Sequence, residues 1–269
     1  MQVSNLELEE LKKVNKYNKK NLKKIEKGYP VQYLTGYVDF YGYKIFVNKN
    51  TLIPRYETEY LVEKTIKYVK KLGFKELDIL DMCTGSGAIG ITLKKELPYS
   101  NVTLSDISSK ALRVAKRNAK ALDTDVHIVK SDLFKKISGR FDVFISNPPY
   151  VMENEKLPKE VAYEPKIALF SGEKGLNHIE RIFKDIKPYL KDRYLIALEV
   201  NEKSKEDLKK LVNLYFKDVN ISFEEDLTGR FRYLFIIKSW WRNINKEIIN
   251  LELPGNGQLE IHNFKYVYK

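Results

Sequence analysis

Asp81-Met82-Cys83-Thr84-Gly85-Ser86-Gly87-Ala88-Ile89-Gly90 is the stretch that decides the fold. Residues 79–82, which lead into it, are a short apolar run that predicts a strand; residues 87–97, which leave it, carry a helical pattern. Glycine at such a junction lets the backbone turn tightly and approach a ligand closely. Ligands of doubly wound sheets sit at these carboxyl ends of strands. No Gly-Lys-Ser/Thr follows, so the loop is not a phosphate loop.

Downstream of the loop the texture alternates. Strands are expected at residues 102–105, 126–129, 141–145, 194–200 and 231–237, and helices at 108–122, 175–190 and 203–214. Ala111, Leu112, Ala115 and Ala119 give the first of these helices one apolar stripe. Such alternation predicts a mainly parallel sheet covered on both faces, an α/β, doubly wound, Rossmann-like fold.

Upstream, residues 58–72 predict a helix with Thr58 as its N-cap and Leu61, Val62, Ile66 and Val69 on one stripe. Residues 31–54 read as β, with a hairpin turning at Tyr41-Gly42. Leu8, Leu11 and Val14 are spaced helically near the start, and either two short helices or one frayed helix fits there, ended by Gly28 and Pro30. Four segments follow: a short helical N-terminal region (1–30), the hairpin with its connecting helix (31–76), the alternating domain (77–238) and a C-terminal extension (239–269). In the extension, residues 254–257 predict a turn and residues 259–268 a strand.

Hydrophobic residues make up 43% of the 269, enough for a sizeable core and against disorder. No apolar run approaches the roughly 20 residues that span a bilayer, and the lysine-rich start lacks the apolar heart of a signal peptide. One cysteine, Cys83, excludes an internal disulfide, which makes the cytoplasm the default compartment. Forty-eight basic against 36 acidic residues give a formal charge of +12. That balance suits an RNA, DNA or ribosome-associated partner and equally a surface solvated by lysines.

Asp106 ends the second strand of the alternating domain, about 20 residues after the glycines, where an acid accepts hydrogen bonds from two ribose hydroxyls. NAD and S-adenosylmethionine both carry such a ribose. A plain helix cap is the competing role for Asp106. Asp132 ends the next strand, placed to accept from the exocyclic amine of an adenine.

Ser146-Asn147-Pro148-Pro149-Tyr150 follows strand 141–145 and is the most specific feature of the chain. Two adjacent prolines fix the backbone and remove two N–H donors. The Asn147 side-chain oxygen and the Pro148 carbonyl remain as acceptors, a pair that suits an –NH₂ group. Tyr150 offers a flat face for a planar amide or a base.

Asn-Pro-Pro-Tyr resembles the motif shared by adenine-N6 and glutamine-N5 methyltransferases. Further motifs are similar to the release factor glutamine methyltransferase family: Pro30-Val31-Gln32-Tyr33-Leu34-Thr35-Gly36, Phe40-Tyr41-Gly42, Leu52-Ile53-Pro54-Arg55-Tyr56-Glu57-Thr58-Glu59, Tyr163-Glu164-Pro165 and Asp226-Leu227-Thr228-Gly229-Arg230. The resemblance covers residues 28–238 and implies a class I methyltransferase sheet. It implies that Cys83, Thr84, Gly85, Ser86 and Gly87, with Asp106, Asp132, Leu133 and Asn147, hold S-adenosylmethionine, with no metal. Asn147, Pro148, Pro149 and Tyr150 would hold the target glutamine, with Asn147, Pro148 and Tyr150 as the catalytic set. The implied partner is a class I peptide chain release factor, methylated at the glutamine of its Gly-Gly-Gln loop. A carboxamide nitrogen is a poor nucleophile, and acceptors on both its N–H groups orient it toward the sulfonium methyl.

Cys83 stands where the family has glycine, and is expected to contribute backbone only. Tyr56 replaces a proline, Glu199-Val200-Asn201 departs from Glu-x-Gly, and the family's helical N-terminal domain is about twice as long as residues 1–30. The alternatives are a ribosomal-protein glutamine as acceptor, an adenine of DNA or RNA flipped out of its helix, and a degenerate fold that only binds.

Overall fold

The computed structural model describes residues 3–239. Two short helices open the chain, α1 (Asn5–Lys13) and α2 (Lys19–Glu26). Ser4 and Glu7 cap the first reciprocally, and Asn18 caps the second by accepting from the Asn21 N–H at 3.0 Å. Asn15, at φ 56°, breaks the chain between them, so the two-helix alternative holds.

Residues 31–35 depart from the β expectation: they form a one-turn helix, α3 (Val31–Thr35). Pro30 enters it and Gly36, at φ 89°, closes it in the left-handed region. A short apolar run does not distinguish strand from helix. Tertiary packing decides, because the turn lets Leu34 reach Leu11 and Ile25 in a small satellite core. The hairpin follows as β1 (Tyr37–Phe40) and β2 (Tyr43–Phe46). Tyr41 and Gly42 both have positive φ, the geometry a two-residue hairpin turn demands.

Helix α4 (Tyr56–Leu72) starts two residues before the expected cap. Arg55 takes the N-cap position, and Thr58 lies buried inside the first turn with its hydroxyl turned to another partner, described below. The alternating domain then runs β3 (Leu77–Met82), α5 (Ala88–Glu96), β4 (Ser100–Asp106), α6 (Ser109–Ala121), β5 (His127–Lys130) and β6 (Phe141–Ser146). It continues with α7 (Asn177–Asp185), β7 (Leu190–Glu199), α8 (Lys205–Tyr215), β8 (Asn220–Glu225) and β9 (Phe231–Lys238). Helix α7 is shorter than expected and gives way at Pro188 to a 3-10 turn, as a residue without an N–H requires. Strand β8 was not foreseen. Its polar Asn220, Ser222, Glu224 and Glu225 hide a half-buried strand on the sheet's edge.

The seven strands are ordered β5-β4-β3-β6-β7-β9-β8. Strands β3 to β7 pair in parallel, and β9 runs antiparallel to β7 and β8. Chain order reverses beside β3, which has β4 on one side and β6 on the other, the switch point where a crevice opens. Helices α7 and α8 cover one face, burying Ile179, Ile182, Phe183, Leu208 and Val212 against Leu80, Phe144, Ile196 and Leu234. Helices α4, α5 and α6 cover the other.

A buried side chain of α6 ties the hairpin to the alternating domain. Asn118 of α6, fully buried, accepts from the Phe46 N–H at 2.7 Å and donates to the Phe46 carbonyl at 2.9 Å. Its second N–H reaches the Ser86 carbonyl at 2.8 Å. Among the described residues no helix is long and apolar enough to cross a membrane. The expectations for residues 254–257 and 259–268 lie outside the described residues.

Candidate active site

A cleft of about 1050 Å³, counting its open mouth, lies at the carboxyl ends of β3, β4 and β6. Its floor is the glycine-rich loop. Cys83, Gly85 and Gly87 take φ values of 60°, 57° and 83°, three left-handed residues within one tight turn. Gly87 has no room for a side chain: a Cβ there would meet Ile91 Cδ1 at 2.8 Å and Ala115 Cβ at 3.2 Å. Gly85 faces open space. Cys83, half-buried, is the one non-glycine of the three, and burial pushes its thiol up, away from the reactive thiolate.

Two carboxylates hold this loop. Asp81 is fully buried; its Oδ2 accepts from the Thr84 hydroxyl and from the Gly90 N–H at 2.9 Å. Its Oδ1 makes no hydrogen bond among the described residues. Burial pushes the Asp81 carboxyl up to about 7 despite those two donors. Asp106 accepts from the Gly85 N–H at 2.9 Å through Oδ2 and from the Ser108 N–H at 2.8 Å through Oδ1. Burial raises its pKa too. Ser108 itself caps α6, so Asp106 braces both the loop and the helix entry while keeping free lone pairs on the cleft wall.

Asp132 also lines the cleft, but its carboxylate is engaged by Lys135 at 2.7 Å and Arg181 at 2.8 Å, which hold it below the usual carboxylate range. Leu133, at φ 46°, is buried beside it. Of the residues expected to hold a cofactor, the cleft wall contains Cys83, Thr84, Gly85, Ser86, Asp106, Asp132, Leu133 and Asn147; Gly87 lies behind it.

Asn147 and Pro149 line the same cleft, whereas Pro148 and Tyr150 sit behind them. Asn147 donates from Nδ2 to the Thr58 hydroxyl at 3.2 Å. Thr58 donates in turn to Glu199 Oε2 at 2.7 Å, and the Tyr150 hydroxyl donates to Glu199 Oε1 at 2.8 Å. Glu199 is 1% exposed, and burial raises its pKa against the two hydroxyl donors and Arg232. Gly175 gives the turn its room, since a Cβ there would lie 2.2 Å from the Tyr150 carbonyl oxygen.

Across the mouth runs a strap in which Asn50, Thr51, Leu52 and Pro54 line the cleft. Buried Glu164 fastens it, accepting from the Ile53 N–H at 3.0 Å and pairing with the Arg55 guanidinium. The Tyr33 hydroxyl donates to the Thr51 carbonyl at 2.7 Å.

Thr58, Glu199 and Asn118 were not foreseen as parts of the site. Thr58 falls within a quoted motif but reads as a cap; Glu199 left the plainer trace, since an acid ending an apolar strand must find partners if buried.

The Methyltransferase small domain model matches residues 59–165. The release factor glutamine methyltransferase of Bacillus cereus is 37% identical over 216 residues, 78% of this chain and 76% of that protein. Its counterpart from Streptococcus pneumoniae is 38% identical over 210 residues, 77% and 74% of the two chains. Among solved structures, the hMettl16 catalytic domain superposes with a TM-score of 0.57 at 20% identity, over 75% of this chain and 77% of that one, a likeness of fold. With relatives this similar across more than two thirds of both lengths, the chain belongs to the release factor glutamine methyltransferase family.

Proposed function

We propose that this protein transfers a methyl group from S-adenosylmethionine to the side-chain nitrogen of the glutamine in the Gly-Gly-Gln loop of class I release factors. The observation that carries the reading is Asn147, which lines the same cleft as the glycine-rich loop and whose Nδ2 is engaged by the Thr58 hydroxyl, leaving its oxygen to accept.

The residues present fit the cofactor. The left-handed loop offers backbone at close range, Gly85 leaves open space, and Asp106 retains lone pairs for two hydroxyls. Asp132 and Leu133 would flank the adenine. When bound, S-adenosylmethionine supplies a methyl group already activated by its positive sulfur.

This chain's own residues do the positioning. Asn147 Oδ1, on the cleft wall, accepts one N–H of the glutamine amide; the Pro148 carbonyl, from outside the wall residues, would have to reach the second, and Pro148 and Pro149 offer no donor to compete. Held so, the nitrogen would be oriented toward the cofactor's methyl group, and the acceptors would stabilise the positive charge it gains. Tyr150, braced by Glu199, shapes the acceptor end. A translation factor as partner places the reaction in the cytoplasm.

The test is incubation with labelled S-adenosylmethionine and, in parallel, a release factor, ribosomal proteins and nucleic acid, followed by mass spectrometry. Label on the Gly-Gly-Gln glutamine is expected. Label on an adenine with none on any glutamine would overturn the reading.

A further inference from the structure

We infer that the buried pair Thr58 and Glu199 positions Asn147, setting which end of its carboxamide faces the acceptor. The inference rests on the proposed glutamine chemistry and adds two residues to it: Thr58, on the cleft wall beside Asn147, and Glu199, buried behind it.

The oxygen and NH₂ of an asparagine amide are nearly equal in size, so shape alone does not orient them. For a site that receives an –NH₂ group the choice is decisive, because an inward NH₂ would set donors against donors. The hydrogen bonds here permit one arrangement. Glu199 accepts at both oxygens, from Tyr150 at 2.8 Å and from Thr58 at 2.7 Å. The Thr58 and Tyr150 hydroxyls and the Arg232 charge favour the carboxylate form of Glu199, which has no proton to give, so the single hydroxyl proton of Thr58 is committed to it. Thr58 Oγ1 therefore meets Asn147 with lone pairs only, and Asn147 must present Nδ2–H to it, as it does at 3.2 Å. The Asn147 oxygen is left for the cleft.

One carboxylate, 1% exposed, thus orients both ends of Asn147-Pro148-Pro149-Tyr150. It reaches Asn147 through helix α4 and Tyr150 directly. Putting an acid in such a place is costly, and a site that merely braced the turn would do as well with a neutral partner. A glutamine at 199 would not do as well here. Its amide would offer Thr58 a donor in one of its two orientations, free the hydroxyl proton to turn toward Asn147, and let the carboxamide rotate.

Three variants test this: Glu199→Gln, Thr58→Val and Thr58→Ser. In single-turnover transfer to a release factor, Glu199→Gln and Thr58→Val should each lose roughly ten- to a hundredfold in rate, the scale of one misplaced hydrogen bond. Cofactor affinity by calorimetry should stay within about twofold, the glycine-rich loop being untouched. Thr58→Ser keeps the hydroxyl and should recover most of the rate lost in Thr58→Val. A second readout needs no turnover: the side-chain amide proton resonances of Asn147 should shift in Thr58→Val and keep their positions in Thr58→Ser. Wild-type rates in Glu199→Gln and Thr58→Val, cofactor affinity falling in step with rate, or unmoved Asn147 resonances would each overturn the inference. A wild type that labels no glutamine would instead overturn the proposed substrate, while the resonances still decide the orientation.

Discussion

The cleft has two halves, and they are held by different means. The cofactor half, after β3, is fixed by its own neighbourhood. Asp81 binds Thr84 and Gly90, three and nine residues away, and Asp106 reaches Gly85 across 21. The acceptor half, after β6, is fixed from afar: Asn147 to Thr58 spans 89 residues, Thr58 to Glu199 spans 141, and Tyr150 to Glu199 spans 49. A backbone cradle with local bracing needs only β3, α5 and the β4–α6 unit that follows them. An acceptor turn whose orientation depends on α4 and β7 is complete only when the whole sheet is. Damage to the two halves should therefore register in different quantities.

The largest effect is expected at Asn147. Asn147→Ala should slow single-turnover methyl transfer by about 100- to 1000-fold, the usual cost of one positioned group in a closed site. A parallel cofactor titration should be nearly unchanged. Equal losses in both measurements would erase the distinction between the halves. Asp106→Ala is the mirror experiment. It should weaken cofactor binding by roughly 1.5–3 kcal/mol, the scale of hydrogen bonds to a charged group. The rate at saturating cofactor should fall much less; calorimetry reads the first quantity and rapid quench the second.

Stability separates the halves further. Cys83 sits at φ 60°, which a β-branched side chain resists strongly. Chemical denaturation of Cys83→Val should show a loss of about 1–2 kcal/mol, whereas Cys83→Gly should keep its activity because only the backbone is needed there. A dead Cys83→Gly enzyme would make the thiol functional and contradict a purely backbone cradle.

A further effect concerns pH. The Asp81 carboxyl is raised by burial from 3.8 to about 7, so between those values the folded chain binds a proton that the unfolded chain has released. Stability then falls as pH rises through that window. The melting temperature of the ligand-free protein should drop by about 2–4 °C more, for each kcal/mol lost, than that of Asp81→Asn between pH 5 and pH 8. Parallel curves for the two proteins would show that Asp81 is not the titrating group.

The same division explains what the sequence reveals. Alternating strands and helices, the glycine loop with Asp106 after it, and the hairpin turn at Tyr41-Gly42 are patterns within about 20 residues, and the structure has all of them. The misreadings lie where a distant partner decides. Val31–Thr35 is helical because Leu34 must reach Leu11 and Ile25. Thr58 resembles a cap, and its hydroxyl instead faces Glu199 on a strand far along the chain. Strand β8 alternates over only five residues, Asn220 to Glu224, with two apolar side chains among them, and its pairing with β9 is what defines it. Asn147 was legible as a candidate site residue, and it does line the cleft, but the hydrogen-bond partner of its amide was not legible, since that partner belongs to a distant helix.

Asn118 has a consequence for the molecule's dealings with other chains. A two-stranded ribbon has two open edges, and an open edge invites a third strand from any neighbour. Asn118 meets the N–H and the carbonyl of Phe46 together, much as one residue of an adjoining strand would, and so closes β2 there without a strand. Its remaining N–H is anchored to Ser86 in the cofactor loop. The group that shields this stretch of the hairpin from strand addition is thus tethered to the floor of the cleft, which links resistance to self-association with the integrity of the active site.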